Sequence, residues 1–271
     1  MTAIKVASFN LKRDSFFARQ NRWRTRRELV RRMIEESGAT IIGVQELLPS
    51  MEEDIRAMLR DYSVFGFGRT RKLQNEESAI LFKGKPTDVK FNKTFWLSKK
   101  PEKYGSRAYF SIFPRICTVC ELYVRHFGRR IRVFNTHFDH VCPMARTLSV
   151  KIILEYMHKF NTIEKLPTIL MGDLNCKPDS KPIRILSENL HTFDDIKLTN
   201  IYQSFDAGEI RNTYHGFKGK YKEQPIDYIF VSEEFEIDDA YIDTTAIDGM
   251  YPSDHFPLVA VLRLKEEYAA R

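Results

Sequence analysis

The 271-residue chain has no long hydrophobic run and only four cysteines. Its apolar stretches are much shorter than the roughly 20 residues that a membrane-spanning helix needs. The first residues, MTAIKVASFN, enter an alternating strand pattern directly, without the basic and apolar regions of a secretory signal. We therefore expect no membrane span and a cytoplasmic protein.

The cysteines do not make up a metal-binding motif. Cys117 and Cys120 form a C-x-x-C pair within RICTVCELYV, but no second pair and no paired histidines complete a zinc site. Residues three apart in a strand point to opposite faces of the sheet. We expect these cysteines to be reduced thiols packed in or near a sheet.

Several widespread catalytic motifs are absent as well. The sequence has no G-x-x-x-x-G-K-[ST] loop, which disfavours a P-loop nucleotidase, and neither G-x-S-x-G nor H-E-x-x-H occurs. It also has no internal repeat, low-complexity segment or linker rich in Pro, Gly and Ser. A single domain over residues 1–271 is therefore expected.

The composition is that of a globular protein, with 43% hydrophobic and 29% charged residues, and the net charge of +7 is compatible with a phosphate-bearing substrate. Basic residues are concentrated between Lys12 and Arg32. Part of this cluster is predicted on the solvent face of a helix that begins near Arg22 and stops at Gly38. Solvation alone explains such a face as well as substrate binding does.

Strand and helix patterns alternate along the rest of the chain. Strands are predicted at 4–10, 40–46, 78–82, 116–125, 130–137, 168–173, 226–231, 240–245 and 256–264, with a hairpin turn at Gly128. Helices are predicted at 22–38, 50–59, 144–160 and 180–189.

Polar side chains stand at the ends of many of these strands, where a rigid element would hold them in place. Each alone has a structural explanation, such as a turn or a helix cap. Together they supply carboxylate and amide oxygens, which suit Mg²⁺ or Mn²⁺, and histidines, which suit control of protonation. The residues are Asn10, Glu46, Asn135, His137, Asp139, Asp173, Asn175, Asp227, Asp254 and His255. A hard metal with histidines points to attack of water on a phosphoester.

The motifs SFN, GVQE, NTH, GDLN, IDYIF and SDH occur in this order over the whole chain. In them the sequence resembles the endonuclease/exonuclease/phosphatase superfamily, whose fold is that of deoxyribonuclease I. The stretches NRW, PRICT and TYHGF are similar to those of its compact bacterial members. The resemblance implies an α/β (α+β) four-layered sandwich, with two mostly antiparallel sheets packed face to face and helices outside. It also implies metal-dependent phosphoester hydrolysis.

The resemblance also assigns expected roles. Glu46 is the main metal ligand, assisted by Asn10 and Asp254. Asp173 orients or deprotonates the attacking water, and Asn175 contacts the phosphate. His255 and His137 bind oxygens of the scissile phosphate. Asp227 fixes the tautomer of one of these two histidines. Candidate substrate contacts are Arg115, Arg146, Tyr214 and His215, for which buried ion pairs or stacking are an equally good explanation. Asp139 is a further candidate, whose structural alternative is a cap of the next helix.

The substrate is left open by the sequence. We expect hydrolysis of a phosphodiester by a nuclease-like enzyme, although no long basic insertion or loop with interleaved aromatic residues is visible. The alternative is a phosphatase or phosphodiesterase acting on a small phosphorylated sugar, an inositol or a lipid headgroup. A non-catalytic binding module is a further alternative from another class. We expect a monomer, and no protein partner can be inferred.

Overall fold

The computed structural model describes residues 3–206, 209–220 and 224–268, which form two six-stranded sheets and four α-helices. The strands are β1 (Ile4–Asn10), β2 (Ile41–Leu47), β3 (Tyr62–Phe65), β4 (Glu77–Lys83), β5 (Val89–Trp96), β6 (Ile116–Val124), β7 (Arg129–His137), β8 (Thr168–Asp173), β9 (Leu198–Asn200), β10 (Asp227–Ser232), β11 (Phe235–Ile242) and β12 (Leu258–Leu264). The helices are α1 (Trp23–Ser37), α2 (Pro49–Met58), α3 (Pro143–Asn161) and α4 (Lys181–Ser187).

Each sheet is mostly antiparallel. Sheet 1 has the strand order β11-β12-β1-β2-β4-β3, and sheet 2 has the order β5-β6-β7-β8-β10-β9. The parallel pairs are β1 with β2 in sheet 1 and β7 with β8 in sheet 2. These pairs occupy the centre of their sheets, so the carboxyl ends of four central strands come to one edge of the sandwich.

The helices cover the outer faces of the two sheets. Trp23 and Leu29 of α1 and Ile55 of α2 pack on Phe9 and Val44, which point outward from sheet 1. On sheet 2, α3 packs closely enough that the rings of Tyr156 and Phe95 stack with centroids 3.9 Å apart. The inner faces of the sheets pack against each other. The protein therefore has the four-layered α/β sandwich that the motifs predict.

A buried polar contact joins the two sheets through their apolar interface. Gln45 of sheet 1 donates from Nε2 to Oδ1 of Asn135 in sheet 2, at 2.7 Å. Asn135 in turn donates from Nδ2 to the carbonyls of Val44 and Ala79, at 2.9 and 2.7 Å. Gly43 leaves the room for this contact, because a Cβ there would lie 2.7 Å from the Asn135 Oδ1 atom. The two inner faces are thus fixed in one relative position.

Most of the predicted elements are present at the expected places. Helix α1 ends at Gly38, which has a left-handed φ of 63°, and the β6–β7 turn contains Gly128 with a φ of 65°. The strand expected at 240–245 is wrong in its bounds, since β11 covers Phe235–Ile242. Strands β3, β5 and β9 were not expected, because they are short or lie at a sheet edge with weak alternation.

The four cysteines are free and buried, as the sequence predicts. Among the described residues, no helix is long and apolar enough to cross a bilayer.

Candidate active site

Three polar residues of sheet 2 lie side by side at the same level of neighbouring strands. His137 at the end of β7 is in register with Asp173 at the end of β8, and Asp173 is in register with Asp227 at the start of β10. All three are buried. Their alternation places them on the inner face of sheet 2, because Met171, two residues before Asp173, approaches Gly43 of sheet 1.

Sheet 1 supplies the opposite side of the site. Asn10 ends β1 and donates from Nδ2 to Oδ2 of Asp173 at 3.0 Å and to Oε1 of Glu46 at 3.3 Å. Glu46 lies in a β-bulge between Val44 and Leu47 and has a left-handed φ of 58°. The bulge takes Glu46 out of the regular alternation, so that its carboxylate joins the site although Val44 packs outward.

The segment before β12 completes the cluster. His255 and Asp227 form a buried pair in which Nδ1 lies 2.8 Å from Oδ2, so Nδ1 donates to the carboxylate. The other ring nitrogen, Nε2, faces Asp173 Oδ2 at 3.8 Å. Ser253 fixes this segment to β1, because its hydroxyl donates to the Asn10 carbonyl at 2.5 Å. Asp254 pairs with Lys12 at 3.1 Å between Oδ2 and Nζ.

The surroundings of His255 and Asp173 raise the pKa values of both groups. Burial lowers the pKa of His255, but the Asp227 carboxylate outweighs it and raises this pKa to about 10. Burial and the Asp227 charge raise the pKa of Asp173 to about 7. At neutral pH the site therefore holds a cationic imidazolium beside a carboxylate that exchanges a proton readily.

His137 differs from His255 in its charge. Burial, followed by the nearby guanidinium groups of Arg115 and Arg69, holds the pKa of His137 well below its ordinary value. Its Nε2 atom lies 3.6 Å from Asp173 Oδ2. His137 is therefore a neutral ring at physiological pH, next to two fixed positive charges.

Asn175 lies at the turn after β8. Its backbone has a left-handed φ of 47°, and its N–H donates to Asp173 Oδ1 at 2.9 Å. Its side chain donates from Nδ2 to the Phe138 carbonyl at 3.1 Å. The turn thus links the β7 and β8 ends and holds the Asp173 carboxylate in one orientation.

The candidate substrate contacts divide into two groups. Arg115 is buried, and its Nη2 lies 2.9 Å from His140 Nδ1. Its Nε, 3.9 Å from Asp139 Oδ2, has no hydrogen-bond partner. Asp139 itself accepts from the N–H groups of Val141 and Cys142, and so caps the turn that leads into α3.

The other three candidates lie around these residues. Tyr214 packs edge-on against His255, with ring centroids 5.1 Å apart, and is partly exposed. His215 stacks on Phe256 and accepts from the Gly219 N–H, so it supports the loop that carries Tyr214. Arg146 donates to the Asp139 carbonyl at 3.0 Å and lines a groove beside the site.

Four site residues do not stand out in the sequence. Lys12 and Arg13 directly follow β1, and the Arg13 N–H donates to Glu46 Oε2 at 2.9 Å. Their position two and three residues after Asn10 could have separated them from the basic helix. Arg69 and Arg13 both bind Glu76 Oε1, at 2.8 and 3.1 Å. No local pattern identifies this ion-paired group, because it depends on the folding of a loop.

A metal ion would fit beside Glu46. The site offers hard oxygen donors, and Glu46 is partly exposed, whereas Asp173 and Asp227 are buried. Among the described residues, Asp173, Asp227 and His255 also bring ligand atoms within 4.8 Å of one another. We regard this triplet as a poor metal site, because a protonated His255 has no lone pair to donate and its partner Asp227 is already used.

Comparison with known proteins identifies the family. The model of the Endonuclease/Exonuclease/phosphatase family matches residues 7–255. The chain belongs to this family. The matched region includes every strand that contributes to the site, from β1 to the Asp254–His255 segment.

Two solved structures and one further protein sequence are similar to this chain over nearly its whole length. An endonuclease/exonuclease/phosphatase family protein from Bacteroides thetaiotaomicron is 28% identical, with a TM-score of 0.88 over 100% of this chain and 98% of that one. A mannosyl-6-phosphatase from the same organism is 27% identical, with a TM-score of 0.86 over 96% and 100%. An uncharacterized protein of Acanthamoeba polyphaga mimivirus is 25% identical over 95% of this chain and 99% of that protein.

Proposed function

We propose that this protein is a divalent-metal-dependent phosphoesterase that cleaves a phosphodiester. The observation that carries the proposal is the pairing of Asp227 with His255 directly beside Asp173. It combines a fixed positive charge with a carboxylate whose pKa is near neutrality. A carboxylate with a pKa near neutrality is suited to accept a proton, and the imidazolium beside it is suited to stabilise negative charge.

The residues of the site have distinct roles in this proposal. Asp173 accepts the proton of the attacking water, while Asn10 and the Asn175 N–H hold its carboxylate in position. His255 donates from Nε2 to a phosphate oxygen and stabilises the charge that builds up there. Neutral His137 and the free Arg115 Nε–H bind the phosphate from the side of sheet 2.

Mg²⁺ or Mn²⁺ is the cofactor that suits these ligands. Glu46 would bind the ion, and Asn10 and Asp254 would hold it or its water molecules. When bound, such an ion polarises the phosphoryl group and offsets negative charge in the transition state.

Hydrolysis of a phosphomonoester is the second candidate. It is favoured by the similarity to a mannosyl-6-phosphatase, which covers nearly the whole of both chains at 27% identity. A small phosphorylated sugar would need the same phosphate contacts from His255, His137 and Arg115, with the sugar in the open part of the site.

The test is hydrolysis of bis-p-nitrophenyl phosphate and of p-nitrophenyl phosphate with Mg²⁺, Mn²⁺ or EDTA. We expect metal-dependent turnover that falls by about 10²-fold or more in His255→Ala. In Glu46→Gln, turnover should be lost together with stabilisation of the fold by Mn²⁺. Faster cleavage of the diester supports the first candidate, and faster cleavage of the monoester supports the second. Absence of turnover on both esters together with absence of metal binding would contradict the proposal and leave a non-catalytic binding module.

A further inference from the structure

Three loops form one continuous surface at the mouth of the site. They are residues 12–21, 66–75 and 98–113, and we refer to them as the loop surface. Arg13 of the first loop and Arg69 of the second share Glu76 as a partner. The guanidinium of Arg69 also lies 4.6 Å from the ring centroid of Phe113 in the third loop. The loops therefore meet around Arg69.

The loop surface carries the positive charge of the protein. Its basic residues are Lys12, Arg13, Arg19, Arg69, Arg71, Lys72, Lys99, Lys100, Lys103 and Arg107, and its acids are Asp14 and Glu102. The formal charge of these residues is +8, or +7 with Glu76, which directly follows the second loop and pairs with Arg13 and Arg69, so the rest of the chain is nearly neutral. Lys12 pairs with Asp254, and Arg13 and Arg69 pair with Glu76, so the charge available to a ligand comes mainly from the second and third loops. On the adjacent helix, Arg27 and Arg32 pair with Asp54 and Asp248.

Exposed aromatic side chains are concentrated on the same surface. Phe16, Phe17 and Phe110 are 81%, 87% and 79% exposed. Among the described residues, seven of the eight exposed large hydrophobic side chains in the three loops are aromatic. Outside the loops, six of seven are aliphatic, and the other is Tyr214 beside His255. The sequence-based expectation that no loop combines aromatic and basic residues is therefore wrong.

The loop surface leads to the phosphate site and past it. Lys12 and Arg13 contact Asp254 and Glu46 within the site. On the other side, Lys99 and Tyr109 line an open groove of about 1020 Å³, which continues along α3 past Arg146. A chain-like ligand could therefore contact the loops, the catalytic residues and the groove at once.

We propose that the loop surface binds a single-stranded nucleic acid whose phosphodiester enters the site. Cations would contact the phosphates, and the exposed rings would stack on the bases, which is how proteins bind single strands without reading sequence. This proposal rests on the phosphodiesterase activity proposed above. A lipid surface is less suited, because the loop surface continues past the catalytic residues into a groove along α3, a path that fits a chain-like ligand and not a flat bilayer.

The test is fluorescence anisotropy with a labelled oligothymidylate of about twelve nucleotides, in EDTA to prevent cleavage. We expect binding that weakens steeply with salt. Phe16→Ser/Phe17→Ser should weaken it by about tenfold or more, whereas Ile163→Ser, which removes a 78% exposed aliphatic side chain, should not. Melting temperatures of the variants establish that they are folded.

The charge contribution is measured with a second pair of variants. Lys72→Ser/Lys103→Ser should reduce the slope of log K against log salt by about 0.7 for each phosphate that the variant no longer neutralises. The control is Lys85→Ser/Lys90→Ser, which removes the same charge near the Asp88–Arg125 ion pair by the β6–β7 turn, away from His137.

Two results would overturn the proposal. One is oligothymidylate binding that is absent, or equal in the loop variants and their controls. The other is sedimentation with phosphatidylserine vesicles that depends on Phe16 and Phe17 while the oligonucleotide stays free. Because binding is measured without turnover, and turnover with small esters, either proposal can fail while the other holds.

Discussion

The Asp227→Asn substitution tests whether the charge of Asp227 keeps His255 protonated. Asp227 is fully buried, and its carboxylate is what raises the pKa of His255 to about 10 against the opposing effect of burial. An asparagine of the same shape removes the largest contribution that raises this pKa, so that burial is then opposed only by the Asp173 and Asp254 carboxylates. The pKa of His255 should then fall from about 10 toward its ordinary value of 6.5.

The expected loss of activity in Asp227→Asn follows from the fraction of molecules in which His255 is protonated. At about pH 8, a ring with a pKa of 6.5 or less is protonated in at most about 3% of molecules, compared with nearly all in the wild type. Activity on bis-p-nitrophenyl phosphate should therefore fall at this pH, by up to about 30-fold as the pKa of His255 approaches 6.5. At about pH 6 most of the loss from protonation should disappear, and the ratio of the two rates should shrink to a few-fold.

The assay is a pH profile of kcat/KM for both proteins, together with ring ¹⁵N shifts of His255 in NMR spectra. Asp238→Asn is the control, since Asp238 is an exposed acid that pairs with Arg263. The pair of Asp227 and His255 should also affect the stability of the fold. Because the folded-state pKa of His255 is raised, its stabilisation is complete below about pH 6.5 and is lost as the pH rises through about 10. Equal pH profiles for wild type and Asp227→Asn would refute the reasoning.

Two further predictions concern stability. Burial and the nearby Glu52 raise the pKa of Glu77 to about 8, so wild-type stability should decrease as the pH rises from about 4.5 through 8. At about pH 8, Glu77→Gln should thus be more stable than wild type by about 2 kcal/mol or more in urea unfolding. This difference should vanish near pH 4. The control is Glu53→Gln, which changes an exposed glutamate. Gly172→Ala should cost several kcal/mol or prevent folding, because its Cβ would lie 1.9 Å from the Thr136 carbonyl oxygen. The control is Gly38→Ala, whose Cβ would have no atom within 4 Å and which should lower the free energy of unfolding by about 1 kcal/mol. Similar losses of stability in the two variants would contradict the steric argument.

Much of the fold, and the convergence of the candidate site residues, could be predicted because these residues lie at the ends of buried strands. Asn10, Asp173 and Asp227 each adjoin an apolar run, so both the strand and its polar end are visible in the sequence. Once strands share a sandwich, their ends must converge at its edges. The register that sets His137, Asp173 and Asp227 side by side follows from pairing between distant strands, which no local pattern reveals.

The missed features depend on the folded chain in a similar way. The position of Glu46 results from a bulge, and a sequence window does not distinguish a bulge from a regular strand. Arg69 and Glu76 come together only when their loop folds back on itself, where the N–H of Arg69 donates to the Glu76 carbonyl. Phe16, Phe17 and Phe110 belong to loops far apart in sequence, so their common surface is visible only in three dimensions.

The contact between Gln45 and Asn135 has a consequence for how this protein can diverge. Each sheet provides half of the site, and Asn10 in one lies only 3.0 Å from Asp173 in the other. A slide of the sheets by one residue, about 3.3 Å, would separate these halves while leaving most apolar packing possible. The hydrogen bond between the Gln45 and Asn135 side chains forms in only one alignment of the two sheets. Leucines at these two positions would allow several alignments. An apolar replacement of Gln45 and Asn135 could therefore keep the protein folded and still abolish turnover, so thermal stability alone would be a poor guide to which descendants remain enzymes.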